Sequence, residues 1–182
     1  RFRKDIVHFF LLKKLRLYKI IKIFDYLDYK IFFKNNNKHF LKKVVQKAKK
    51  DNEISLSDLL SNDDGIFLKI DIEGNEYDIL SDIIKKSEKL VSLIIEFHNI
   101  KKNLNKIQNF ITENKNLKLV HIHANNFKEI GSNGNPNDIE LTFVNINKIN
   151  VSLEKSKKNY PIFGLDYKNF KRGKDIELKF YE

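Results

Sequence analysis

Cysteine, methionine and tryptophan are absent from the 182 residues, and only two prolines and six glycines punctuate them. Without cysteine there is no disulfide framework, no thiolate zinc site and no cysteine nucleophile. Chemistry must therefore come from Asp, Glu, His, Asn, Lys, Ser, Thr or Tyr. A chain that opens Arg1-Phe2-Arg3 and holds no methionine reads as a processed or incomplete portion of a longer product, so an upstream segment is expected. Long apolar runs are missing too. None approaches the roughly 18 to 20 residues that span a bilayer, and the run before the first lysines is too short for a secretory signal. Arginine is scarce: four of 35 basic residues. Arginine is the preferred reader of phosphates and bases, so its scarcity speaks against a nucleic-acid partner despite the net charge of +11. The abundant Lys, Asn, Ile and Phe are what AT-rich codons produce without selection for charge.

The charge is uneven. Residues 1–50 hold 16 Lys/Arg against three Asp/Glu, a net +13, and the remaining 132 residues carry a net −2. Between Asp5 and Phe33 apolar residues recur at mostly helical spacing, interrupted by Lys13, Lys14, Arg16, Lys19 and Lys22. This predicts a basic amphipathic helix or helix pair, packed on its own domain or lying on an anionic membrane surface. Asn35-Asn36-Asn37 breaks the pattern, and His39 to Lys50 reads as a second short helix. Residues 1–52 thus form a helical extension and residues 53–182 an α/β domain.

Strand and helix signals alternate from Glu53 onward. Ile66 to Ile72, after the turn Asp63-Asp64-Gly65, reads as a buried strand, Asn75 to Lys86 as a helix and Leu90 to Phe97 as a second buried strand. Leu104, Ile107, Phe110 and Ile111 mark another helix, and Leu117 to His123 a third strand. Asp138 to Val144 and Asp175 to Phe180 share D-I-E-L-x-F with period-two alternation and read as two similar edge strands; Val151 to Lys174 reads as an irregular loop. The order predicts an open, mostly parallel sheet with antiparallel edge strands.

Such sheets bind ligands beyond the carboxyl ends of their strands. Here those ends carry Lys69, Asp71, Glu73 and Gly74, then Glu96 and His98, then His121, His123, Asn125 and Asn126. A carboxylate ending an apolar strand is costly without a partner. Asp71 could be spent on Lys69 or on capping the following helix; convergence of three polar strand ends instead suits a general base acting on a hydroxyl, or oxygen and nitrogen ligation of a divalent metal. Zinc-peptidase H-E-x-x-H, G-x-S-x-G and Gly-rich phosphate-loop patterns are absent.

The stretches Ile54 to Leu60, Phe67-Leu68-Lys69-Ile70-Asp71-Ile72-Glu73-Gly74-Asn75-Glu76 and Ile94-Ile95-Glu96-Phe97-His98 resemble the second half of FkbM-family methyltransferases. His123-Ala124-Asn125-Asn126, Ile139 to Val144, Gly164-Leu165-Asp166-Tyr167 and the final D-I-E-L-x-F resemble the C-terminal part of one branch, so the likeness covers roughly residues 53–182. It implies a class I Rossmann-like sheet and S-adenosylmethionine-dependent methyl transfer to a hydroxyl oxygen of a small-molecule, sugar or lipid-like acceptor. Asp71 and Glu73 would form the crevice floor, His98 or His123 the base, and Glu96 and Asn125 orienting or ligating groups, with Lys69, Gly74 and Asn126 nearby; a divalent metal is an open option. In such sheets a Gly-rich turn after the first strand and an acidic residue after the second hold the cofactor, and residues 1–52 supply neither. The chain therefore reads as the acceptor-side half, expected to bind S-adenosylmethionine weakly by itself, to self-associate along an unpaired strand, and to reside in the cytoplasm, with peripheral membrane contact through residues 5–33. The rival reading is a non-catalytic binding or membrane-surface module that keeps the half-fold.

Overall fold

A computed structural model describes residues 17–34, 41–127, 130–131 and 134–178. The chain divides into two compact units, residues 1–41 and 42–182. In the first, helix α1 (Leu17–Phe32) realises part of the expected amphipathic segment; residues 5–16 and the asparagine break at 35–37 lie outside the described residues. Phe24, Leu27, Ile31 and Phe32 on α1 are exposed. Among the described residues no helix is long and apolar enough to cross a membrane.

The second unit opens differently from the helix expected over residues 39–50. Strand β1 (Lys43–Val45) pairs in parallel with β2 (Glu53–Ser55), where β-branched Val44, Val45 and Ile54 find a pleated partner. Ser55 then caps the one-turn helix α2 (Leu56–Leu59), its Oγ accepting the Asp58 N–H at 3.0 Å.

The main sheet has the order β3-β4-β6-β5, built from β3 (Ile66–Ile70), β4 (Leu90–Phe97), β5 (Leu117–Ala124) and β6 (Ile139–Asn145). β3 and β4 are parallel, while β6 runs antiparallel to both β4 and β5. The mixed α/β fold is the one expected, with three corrections of detail. The alternating strand Ile139–Asn145 is not at an edge: it lies between β4 and β5. Its alternation reflects one face on the core and one polar face, which an interior strand of a half-covered sheet also shows. The second D-I-E-L segment forms no strand among the described residues; Leu178 makes one isolated bridge to Tyr160, and Lys179 and Phe180 lie outside them. The apolar run from Ile66 lies at the sheet edge among the described residues, the unpaired position expected of it, but it is not the buried strand its composition suggested: Phe67 and Lys69 are exposed and Ile70 is buried. The irregular loop over 151–174 is as expected.

Period two divides the sheet. Leu93, Ile95 and Phe97 of β4 share a face with Leu141, Phe143 and Ile139 of β6, and all six are buried. Helices α3 (Leu80–Lys85) and α4 (Ile100–Glu113) add Leu80, Ile83, Ile107 and Phe110 to this core. Phe110 meets Phe97 and Phe143 edge-on, with ring centroids 6.4 and 5.4 Å apart. The segment expected as one helix from Asn75 starts instead as a single 3₁₀ turn, Glu76–Asp78, before α3. The other face carries Phe67, Lys69, Ser92, Ile94, Glu96, Thr142 and Glu140 in register. It is the polar face, and it leads to the strand ends.

Candidate functional site

The site is built where β3 and β4, parallel neighbours, both end. β3 runs out into Asp71-Ile72-Glu73-Gly74. Glu73 and Gly74 have φ of 54° and 103°, so the chain turns back on itself through two left-handed positions, the second of which favours glycine. The turn brings Glu76 under the strand ends. Glu76 is fully buried, and its Oε1 accepts the backbone N–H groups of Ile72 at 3.2 Å and Gly74 at 3.0 Å.

The same Oε1 lies 3.0 Å from Nδ1 of His98, the residue just beyond β4. An oxygen already accepting two N–H groups has no proton to offer, so Nδ1 brings the hydrogen, and in the neutral ring Nε2 is the nitrogen with the lone pair. His98 is 5% exposed. Its Nε2 stands 3.6 Å from Glu73 Oε2 and 3.9 Å from Asp71 Oδ1, too far for a hydrogen bond and close enough for the carboxylates to attract the ring once it is protonated. The His98 carbonyl accepts the Tyr77 hydroxyl at 2.6 Å, which anchors the backbone as well as the ring. Burial, with the neighbouring Glu76 charge, pushes the Tyr77 phenol up to about 12.

Glu96, two residues before His98, is buried and takes the Asn125 amide on Oε1 at 2.6 Å. Asp71, Glu96 and His98 each offer a ligand atom, all within 4.8 Å of one another. Lys69 makes no ion pair with Asp71 among the described residues, although the Asp71 charge also favours its ammonium. It reaches across β4 to Glu140 of β6 at 3.1 Å, and this hydrogen bond, opposed by partial burial, holds its ammonium above the ordinary lysine range. Nor does Asp71 cap the following helix: no side chain caps the 3₁₀ turn, and Asn75 donates to the Ile72 carbonyl instead. Among the described residues Asp71 thus neither ion-pairs with Lys69 nor caps the 3₁₀ turn.

The structure thus brings Asp71, Glu73, Glu96, His98 and Asn125 together, with Gly74 shaping the turn and Lys69 at the rim. The other candidates stand apart. His123 pairs in register with Glu140, and Glu140 with Glu96, so His123 sits two strands from β4, roughly 10 Å away; its Nε2 is buried without a hydrogen-bond partner among the described residues. His121 is held by Asp166 at 2.7 Å and stacks near Tyr160, pinning the C-terminal loop to β5. Asn126 is used the same way, donating to the Phe170 and Lys174 carbonyls and accepting the Phe170 N–H at 2.8 Å.

Sequence reasoning did not single out Glu76 or Glu140 as partners. Glu76 had a signal, its place three residues after Glu73 within the motif. Glu140 had none, because its meeting with Lys69 depends on β6 inserting beside β4.

The model of the FkbM methyltransferase domain matches residues 24–132. The match begins upstream of the stretch over which the motifs were recognised and contains every residue of the cluster. No curated protein and no solved structure matches the chain.

Proposed function

The chain belongs to the FkbM methyltransferase domain family, and from that membership we propose that it methylates a hydroxyl oxygen, with S-adenosylmethionine as donor and His98 as base. The carrying observation is the contact of His98 Nδ1 with buried Glu76, which turns Nε2, the lone-pair nitrogen of the neutral ring, toward a carboxylate-lined space. The residues fit the donor's chemistry: Asp71, Glu73 and Glu96 present negative charge to a sulfonium cation where two parallel strands end. Asp71 and Glu73 would face that cation. When bound, S-adenosylmethionine supplies an electrophilic methyl group.

The chain's own residues orient the acceptor and take its proton. The hydroxyl proton passes to His98 Nε2, freeing the oxygen lone pair for attack. The resulting imidazolium keeps its Nδ1–H bond to Glu76 and lies within 4 Å of the Asp71 and Glu73 carboxylates, which stabilise the new charge. Of the two histidines expected as base, His98 has this surrounding and His123 does not. A Rossmann-like cofactor crevice and a small-molecule, sugar or lipid-like acceptor belong to the same proposal.

The test is transfer of labelled methyl from millimolar S-adenosylmethionine to a panel of hydroxyl acceptors. Label stable to mild base, as an ether is, and turnover lowered about 10²- to 10⁴-fold in His98→Gln with an unchanged melting temperature, support the reading. Transfer unaffected by His98→Gln overturns it.

The exposed Phe24, Ile31 and Phe32 of a lysine-rich segment favour a second proposal, that α1 rests on anionic membranes. The chain should co-sediment with anionic vesicles at low salt. Equal binding to neutral vesicles at high salt contradicts an electrostatic contribution.

A further inference from the structure

We propose that Asp71, Glu96 and His98 form a divalent-cation site, one nitrogen and two carboxylates, that closes the crevice to base catalysis when filled. Two observations support it independently. The first is the convergence of three ligand atoms within 4.8 Å from residues on two different strand ends. Ligands around 2.1 Å from a common ion lie about 3 to 4.2 Å apart, so only a short contraction is needed. Asp71, with a side chain 43% exposed, has the freedom to make it.

The second is the state of His98. The residue is 95% buried, its Nε2 makes no hydrogen bond among the described residues, and its Nδ1 is held by a fully buried carboxylate. Metal-binding histidines are held in this way: the outer carboxylate sets the tautomer, aims the ring and raises the basicity of the ligating nitrogen. Glu96 is oriented likewise, by Asn125 on one oxygen. A plain surface cluster of acids has neither support. The mixed nitrogen and oxygen donors suit Mn²⁺ or another first-row divalent ion better than Ca²⁺, which takes oxygens alone. Glu73, its side chain 83% exposed and 3.6 Å from Nε2, stands at the entry.

The regulatory part rests on the proposed function. One lone pair cannot both receive a proton and ligate a metal, so a bound cation and base catalysis by His98 exclude each other.

The probe is Mn²⁺ alone with the full chain, followed by loss of the free-ion electron paramagnetic resonance signal. One saturable site per chain is expected, weakened at least ten-fold in Glu96→Gln and in His98→Ala. Asp71→Asn, at a half-exposed position where folding is not in question, should weaken it as well. Absence of saturable binding, or binding unchanged in Asp71→Asn, overturns the site. Methyl transfer that persists in chelator and falls as Mn²⁺ fills the site supports the exclusion; transfer stimulated by Mn²⁺ overturns it. Binding without any transfer would sink the methyltransferase reading and leave the cation site standing, so the two fail separately.

Discussion

Glu76 shows at the scale of one residue how the motif builds the site. Its carboxylate sits under the Glu73-Gly74 turn and satisfies two backbone donors while holding His98, so three groups lose their acceptor if it is shortened. Glu76→Ala should therefore destabilise the protein by about 2–3 kcal/mol, read by urea denaturation. A loss below about 0.5 kcal/mol would contradict its place in the network. Tyr77 makes a separate prediction. Its phenol, raised from the ordinary 10 to about 12, holds its proton more tightly folded than unfolded. Its contribution is therefore complete below pH 10 and is lost as pH rises from about 10 to about 12. Stability should fall through that window, and the fall should be shallower in Tyr77→Phe, which costs about 1 kcal/mol at neutral pH. Identical slopes would contradict the assignment.

At the scale of elements, β4, α4 and β5 were legible because their patterns are local: a largely apolar eight-residue segment, 3.6-residue spacing and a bounded strand. The strand-end residues were legible for the same reason, since period two fixes which side chains share a side. What escaped the sequence was pairing between distant segments. β1 looked helical because its partner β2 lies across a turn, and β6 looked like an edge because alternation cannot tell an interior strand with one polar face from a border strand. The run from Ile66 looked buried because Phe67 is apolar, yet Phe67 is 64% exposed on the sheet edge. An apolar edge strand invites pairing with another chain. Phe67→Lys should reduce concentration-dependent association in sedimentation velocity while leaving stability within about 0.5 kcal/mol. Unchanged association would remove β3 as the adhesive edge.

Across the whole molecule, the side-chain cluster and the excess positive charge lie in different parts of the chain. The cluster falls within residues 71–125, inside the family match and inside the second unit, whereas the excess positive charge falls in the first 50 residues. The C-terminal loop, pinned through His121, Asp166 and Asn126, braces β5 and takes up polar residues that resembled site candidates in the sequence. Two of the histidines near strand ends therefore lie outside the cluster, and the one that remains is distinguished by a buried partner five positions beyond Asp71. Family membership and the polar character of the strand ends could be read in advance; the proposal of His98 as base draws on the turn that places Glu76.

Everything proposed for the site depends on the Nε2 lone pair of His98. Long-range ¹H–¹⁵N correlation of the labelled imidazole measures this directly, without acceptor, cofactor or metal. The account predicts that neutral His98 carries its proton on Nδ1, with Nε2 showing the shift of an unprotonated ring nitrogen, and that Glu76→Gln disturbs this tautomer. A neutral ring protonated on Nε2 would contradict it.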